Sequence, residues 1–349
     1  MVDKSALFLA QSPLHIYNAQ EAIAKFGITR STFVVVTSRN NGKWAEMMIA
    51  ALPINTHCLF CERNDFDIEG CTKDYAQHIP WLKKQAFDYV FFSDSRLYIF
   101  VDIVNSLQNK NTYLMDDGTG IIQSVNSLQK HGLYFDTTQS SVPERRKEIE
   151  KVKKKYKLWQ LKAVKYNLFT AFDFETGEQF NVVANPMQKM CYTHRNIDKN
   201  KVLFLGQPLK KFANIADQRY LDYIHNIRMF YSGKEVYYLP HPREEEDVLC
   251  NLRKRTGLQV IETDLSVEQY LMTLSVTPGI VSGFFSAALW YIAKFQDGIE
   301  VDAHRLDISG FALEKSMLMS RSTYLSLSEI VDLIYNYYRL RIRVLNEIS

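Results

Sequence analysis

The sequence has no apolar run approaching the ~20 residues that a membrane-spanning helix requires, which excludes a chain crossing a bilayer on helices. It has little glycine or proline, fourteen and nine residues in 349. That scarcity excludes collagen-like, disordered and low-complexity chains. The first apolar stretch, Ala6-Leu7-Phe8-Leu9-Ala10, stops at Gln11-Ser12-Pro13, too short for the core of a secretory signal. Five cysteines without an export signal are expected to be reduced thiols of a cytoplasmic protein. Chemical signatures are missing as well. Neither GxGxxG nor a Gly-Lys-Ser/Thr loop occurs, so NAD and P-loop readings fail. GxSxG and HExxH are also absent, and with them the two commonest hydrolase signatures. His57, Cys58, Cys61, Cys71 and His78 are metal-type residues, but no second CxxC pair completes a zinc site and no metal is expected. Their apolar neighbours make buried thiols the expectation.

What is present is a great deal of aromatic surface, 20 Tyr and 21 Phe, in a chain that is 46% hydrophobic. At this length that material fills the cores of about two domains. The net charge of +3 conceals an asymmetry: residues 144–165 hold ten Lys/Arg and three Glu, a local +7, leaving −4 for the rest. A near-neutral body with one basic segment is not a dedicated nucleic-acid binder. Within that segment Ile149, Val152, Tyr156, Trp159, Ala163 and Tyr166 recur at three- and four-residue spacing, predicting an amphipathic basic helix over 144–166. Packing of the stripe on its own domain is the plain expectation. Contact with anionic lipid comes next and a dimer contact last.

Short β-rich runs alternate with helical patterns. Strands are expected near residues 5–10, 32–37, 57–61, 89–93 and 112–115, and again near 202–205, 236–239, 259–262 and 279–282. A first helix follows Ser12 as N-cap with Pro13 at its first position, and a last one is announced by the capping box Ser326-Leu-Ser-Glu329. Strands separated by helices mean parallel sheets buried on both faces. Two consecutive α/β domains facing a cleft are the simplest architecture: residues 1–195 including the basic helix, 196–325, and a C-terminal helix over 326–349.

Three strand-end segments carry candidate chemistry, where loops of open α/β sheets line the ligand crevice. Asp116-Asp117-Gly118-Thr119-Gly120 offers a general base beside glycines that let a ligand approach, against the alternative of a solvated Asp-Gly turn. Pro240-His241-Pro242-Arg243 holds an imidazole between prolines, with a fixed positive charge nearby for a phosphate. Ser282-Gly283-Phe284-Phe285-Ser286 leads through glycine into a helix whose N-terminus suits an anion, the alternative being a helix cap without function.

In this order, with Ile122-Gln123-Ser124 after the first string and Ala287-Ala288-Leu289 after the last, the three segments resemble bacterial sialyltransferases. The wording is closest to glycosyltransferase family 52, the lipooligosaccharide sialyltransferases. Val267-Glu268-Gln269-Tyr270 resembles a family helix with an acidic residue. The resemblance implies a GT-B fold of two Rossmann-like parallel-sheet domains facing a central cleft. It implies inverting transfer of N-acetylneuraminic acid from CMP-Neu5Ac to a terminal galactoside, with an α-2,3 linkage expected, no cofactor and no obligatory metal. On that model Asp116 or Asp117 serves as base toward the acceptor and His241 as the group on the leaving phosphate. The donor would be met by Gly118, Thr119, Gly206, Gln207, Pro242, Arg243, Glu268, Ser282, Phe285 and Ser286. A branch of the family has its base directly after a Leu-Gly-x-Pro turn; here Leu205-Gly206-Gln207-Pro208 is followed by Leu209, which takes no proton. No membrane anchor like that of some relatives is expected from this sequence, so attachment to the inner membrane face would fall to the basic helix or to Tyr337–Arg343. A homodimer is a further family expectation. The rival readings are a hexosyltransferase of the same family and a non-catalytic glycan- or lipid-binding protein on a GT-B scaffold.

Overall fold

Short runs rich in aromatic and β-branched residues, each flanked by helical segments, leave strands that bury both faces. The computed structural model describes residues 3–38, 42–54, 56–64, 67–135, 143–158, 162–193, 196–210, 214–263, 265–308 and 325–346. The chain divides into two compact units, residues 1–187 and 188–349.

Unit 1 runs β1 (Ser5–Ala10), α1 (Pro13–Phe26), β2 (Arg30–Ser38), α2 (Gly42–Ala51), β3 (His57–Arg63), α3 (Ile68–Ala76), α4 (Ile79–Lys84), β4 (Tyr89–Phe92), α5 (Tyr98–Leu107), β5 (Thr112–Met115), α6 (Gly120–His131), α7 (Pro143–Lys155), β6 (Asn167–Thr170) and β7 (Val182–Ala184). The strands pair in parallel in the order β3-β2-β1-β4-β5-β6-β7. Strand order reverses between β1 and β4, so the loops after these strands flank the position where open α/β sheets bind ligands. α1 begins as its sequence predicts, with Ser12 extended at the N-cap and Pro13 behind it. It ends at Gly27, whose φ of 64° is the left-handed conformation glycine adopts without strain.

β1 is buried along its whole length. Phe8 stacks on Phe33 at 4.9 Å and on Phe91 at 5.0 Å, and Phe91 stacks on Tyr113 at 5.2 Å, an aromatic ladder across four neighbouring strands. Ile16, Ala19 and Ala22 of α1 close over this face. Truncating one such ring costs on the order of 3–5 kcal/mol, so the ladder fixes strand register firmly. Of the cysteines of β3, Cys58 belongs to this packing and Cys61 lies toward Cys71 and Asp74 of α3; burial pushes the Cys58 thiol up to about 11 and the Cys61 thiol up to about 12.

The basic helix is shorter than its sequence suggested. α7 ends at Lys155, and the chain turns at Lys157 with a positive φ of 59°. Ile149 and Val152 pack on Ile68 of α3, with Tyr156 alongside. Lys153 pairs with the buried Asp102 at 2.8 Å, and Tyr75 donates to the same carboxylate at 2.7 Å. Trp159 lies outside the described residues. Tyr166 belongs to the approach to β6 and packs edge-on against Phe92 and Phe135. The apolar stripe thus does what an amphipathic surface helix ordinarily does, covering its own domain.

Unit 2 contains a short β8 (Tyr192–Thr193), β9 (Ile197–Leu205), α8 (Asp217–Phe230), β10 (Glu235–Leu239), α9 (Glu246–Thr256), β11 (Gln259–Val260), α10 (Val267–Thr273), β12 (Thr277–Gly283), α11 (Ala287–Phe295), β13 (Gln296–Asp297), β14 (Glu300–His304), α12 (Leu327–Tyr338) and β15 (Arg343–Leu345). Its main sheet is parallel in the order β11-β10-β9-β12-β14-β15. Here the order reverses between β9 and β12. α12 starts with the expected capping box: Glu329 N–H donates to Ser326 Oγ at 3.3 Å and Ser326 N–H to Glu329 Oε2 at 2.8 Å. The segment Tyr337–Arg343 is only partly built into the unit, with Arg339, Leu340 and Arg341 exposed. Tyr338 and Ile342 are buried, and Arg343 grips the buried Asp302 with two bonds of 2.7 and 2.8 Å. Among the described residues no helix is long and apolar enough to cross a membrane.

Candidate active site

In unit 1 the aspartates follow β5 directly. Asp116 is wholly buried. Its carboxylate accepts the Thr170 hydroxyl and the Ala171 N–H, the latter at 2.8 Å, so it ties the end of β5 to the end of β6. Its carbonyl accepts Asn18 Nδ2 at 3.1 Å, and Asn185 Nδ2 donates to Asn18 Oδ1 at 2.9 Å. A carboxylate so enclosed is not placed to take a proton from a bound substrate. The sequence left the base open between two aspartates; the structure removes Asp116 from that role and makes it an anchor.

Asp117 differs. Its side chain is 24% exposed. His15 Nε2 lies 3.0 Å from Oδ1 and Arg96 Nη2 2.5 Å from Oδ2. The His15 tautomer is fixed by geometry: the Gln11 N–H donates to Nδ1 at 3.1 Å, so Nε2 carries the proton and donates to Asp117. Ser93 Oγ also sits 2.7 Å from Nδ1. Arg96 is held in turn by Asp94, whose Oδ1 accepts Arg96 Nε at 2.7 Å. Gly118 takes a φ of 56°, which turns the chain into α6. Gly120 leaves room for the Arg96 guanidinium, since a Cβ there would come within 2.5 Å of Nη2 and displace it. Thr119 stands at the N-cap of α6 without a side-chain capping bond.

In unit 2 the strand-end loops after β9, β10 and β12 are drawn together by hydrogen bonds. Gln207 Oε1 accepts the Phe285 N–H at 2.9 Å, joining the β9 and β12 loops. Gly206 N–H donates to the Leu239 carbonyl at 2.9 Å, joining β9 to β10. Beneath them lies Glu244, which accepts the hydroxyls of Tyr238 and Tyr220 and, at 2.6 Å, the His241 N–H. Burial raises the Glu244 carboxyl, while these donors favour its charged form. His241 is half-buried, and its Nδ1 accepts the Arg243 N–H at 3.1 Å. Burial, with the Arg243 charge beside it, pushes the imidazole down to about 4. It is therefore a neutral ring with its proton on Nε2, a hydrogen-bond donor. Arg243 borders a shallow, open depression with Gln207, Lys210 and Tyr220, while Pro242 lies exposed on the turn.

Ser286 occupies the N-cap of α11 and its side chain makes no capping bond. Phe285 is buried beside it. Glu268, near the start of α10, is 9% exposed and its carboxyl is raised by burial; among the described residues no hydrogen bond links it to the other three loops. Ser282 is not at this surface. It is fully buried and hydrogen-bonds the Tyr231 hydroxyl at 3.1 Å, so the reading of Ser282 as a donor contact is corrected to a core role beside Asp302.

A methyl group at Gly206 has no room, since its Cβ would collide with Glu244 Oε2 and the Tyr238 hydroxyl and lie 2.7 Å from Tyr238 Cζ. Gly206→Ala is expected to cost about 1–3 kcal/mol by overpacking and to loosen the His241 loop. Thermal unfolding with and without nucleotide checks this, and an alanine variant matching the parent in both would contradict it.

A family model described as Alpha-2,8-polysialyltransferase (POLYST) matches residues 6–304. The chain belongs to the alpha-2,8-polysialyltransferase family. The family is one of sialyltransferases, which agrees with the motif resemblance at that coarser level. No curated protein matches the chain. Solved structures agree on the fold alone. UGT73P12 of Glycyrrhiza uralensis, complexed with glycyrrhetinic acid 3-O-monoglucuronide, is 12% identical at a TM-score of 0.51, over 89% of this chain and 78% of its own. UGT2 of Phytolacca americana, complexed with UDP-2fluoro-glucose and pterostilbene, is 10% identical at 0.51, over 98% and 91%. The polysialyltransferase-family chain thus has the GT-B fold of glycosyltransferases, two Rossmann-like units in succession.

Three residues of this family member escaped the motif reading: His15, Arg96 and Glu244. The first two follow β1 and β4, the strands at which the sheet order reverses, and the rule that strand-end loops line the crevice applies to them as it does to Asp117. Glu244 carried only a weak signal, one more acidic residue in the run Glu244-Glu245-Glu246.

Proposed function

We propose that the chain is an inverting sialyltransferase that uses CMP-Neu5Ac as donor. What carries the reading is the family match across residues 6–304. Unit 1 supplies the base: Asp117 accepts the proton of the acceptor hydroxyl, steadied by His15 and Arg96. The acceptor oxygen bonds to the anomeric carbon on the face opposite the phosphate. The bond from that carbon to the CMP phosphate oxygen breaks, and its electron pair stays with the phosphate. Unit 2 receives that charge through the His241 Nε2–H, the Arg243 charge and the N-terminus of α11 with Ser286 Oγ. Glu268 is proposed for the nucleoside, and no step is routed through a metal ion.

The family description favours a sialylated acceptor and an α-2,8 linkage; a terminal galactoside with an α-2,3 linkage is the second acceptor to assay. For an acceptor carried at an anionic membrane, the exposed Lys147 and Lys151 of α7 are the proposed contact.

Thermal unfolding with CMP, UDP and GDP in parallel tests the donor. A ligand at ~100 times its Kd adds about 2.7 kcal/mol to the folded state, a visible shift. CMP alone is expected to stabilise the protein. A response to UDP instead would favour a hexosyltransferase, and a response to none would remove His241 and Ser286 from a donor site.

A further inference from the structure

α12 lies beyond the residues that the family model matches, yet it reaches the proposed phosphate site. The wholly buried Tyr338 donates its hydroxyl to the Ser286 carbonyl at 2.7 Å, a bond between residues 52 apart in sequence. The same carbonyl accepts the Leu289 N–H at 3.0 Å. Tyr338 is itself held in place: its ring lies nearly parallel to Trp290 at 6.5 Å. One turn earlier, Tyr335 packs edge-on against Phe285 at 6.3 Å and donates to the His304 carbonyl at 2.8 Å. One helix thus fastens the loops after β12 and after β14.

The geometry at Ser286 shows what this bond does. At two other helix starts in unit 2, Ser266 and Ser326 fold their hydroxyls back onto the N3 N–H group. Ser286 shares their extended backbone, with a φ of −71° and a ψ of 132°, but its side chain makes no capping bond. Its carbonyl is pinned from behind by Tyr338, which sets the direction of the residue. We propose that Tyr338 is a positioning residue for the donor phosphate: by pinning Ser286 it aims Ser286 Oγ and the first N–H groups of α11 at that group. The inference rests on the donor reading above and deepens it, since it assigns phosphate recognition to a helix outside the matched region.

The test is calorimetric titration of wild type and Tyr338→Phe with CMP and, separately, with cytidine, which lacks the phosphate. Tyr338→Phe is expected to weaken CMP binding about fivefold to tenfold, the scale of one lost neutral hydrogen bond, and to leave cytidine within a factor of about two. Tyr335→Phe is the control, because its hydroxyl serves His304 and not Ser286; it should lower the melting temperature while preserving the ratio of CMP to cytidine affinity. Equal weakening of both ligands in Tyr338→Phe would reduce Tyr338 to a structural role and overturn the proposal, as would an unchanged ratio. A wild-type protein that binds CMP no better than cytidine would overturn the donor reading itself, an outcome read before any variant is made.

Discussion

Asp117→Asn is expected to lower kcat by about 10²- to 10⁴-fold while KM for the donor changes little, because a positioned base contributes about that much to a proton-transfer step. The substitution keeps the shape of the side chain and leaves an amide oxygen that accepts from either His15 or Arg96. It removes the negative charge, the site for the proton and one of the two accepted hydrogen bonds. Asp116→Asn serves as the comparison. Its carboxylate is spent on Thr170 and Ala171, so the amide should lower the melting temperature first and turnover through that loss. Steady-state kinetics of the two variants, each with its melting curve, separate the roles. An Asp117→Asn enzyme at full speed would falsify the assignment of the base.

The second large effect is expected at His241. Its removal as His241→Ala should cut turnover by roughly 10²-fold or more. The pH behaviour is more diagnostic than the loss itself. With the imidazole pushed down to about 4, the ring donates from Nε2 as a neutral group, and no step in the rate attributable to His241 is expected between pH 5 and 8. For stability the sign follows from linkage. Unfolded histidine takes up a proton near pH 6.5 and the folded ring only near 4, so the unfolded state binds more protons in between. His241 thus contributes stability that is complete above about pH 6.5 and is lost as pH falls toward 4. The buried His304, also pushed down to about 4, acts in the same direction. Melting temperature measured from pH 7 to 4.5 should fall, and more shallowly in His241→Ala than in wild type. A parallel pair of curves would contradict the burial of this imidazole.

Much of the architecture was legible in sequence because strands buried on both faces have little freedom of composition: Ala6-Leu7-Phe8-Leu9-Ala10 and Tyr89-Val90-Phe91-Phe92 announce themselves. The strands that escaped notice are those whose interiors are polar for a reason. β14 reads Glu-Val-Asp-Ala-His; buried there, Asp302 is held by Arg343 and Tyr231, and His304 meets the Tyr231 hydroxyl through Nε2 alone. No local pattern reveals a partner 41 residues away. β6 and β7 were lost in what looked like a connecting segment, being four and three residues long. The basic helix was overextended because a three- and four-residue spacing continues through a turn at Lys157 that no glycine marks. Among the candidate residues, Asp117 of unit 1 and His241 and Ser286 of unit 2 stood at readable strand ends. The split between Asp116 and Asp117 was unreadable, since it depends on the distant hydroxyl of Thr170.

The bond from Tyr338 to Ser286 also has a meaning in time. At roughly 5–20 residues per second, a ribosome that has made Ser286 needs about 3–10 s to make the tyrosine 52 residues later. Throughout that interval the nascent loop after β12 lacks its anchor, while the strands of unit 1 are already synthesised. Unit 1 is therefore able to mature first, and the turn at Ser286 is among the last parts of the molecule to settle. A translational pause or a premature stop within that window should leave a sugar-transferring fold with a complete first sheet and an unfinished second one.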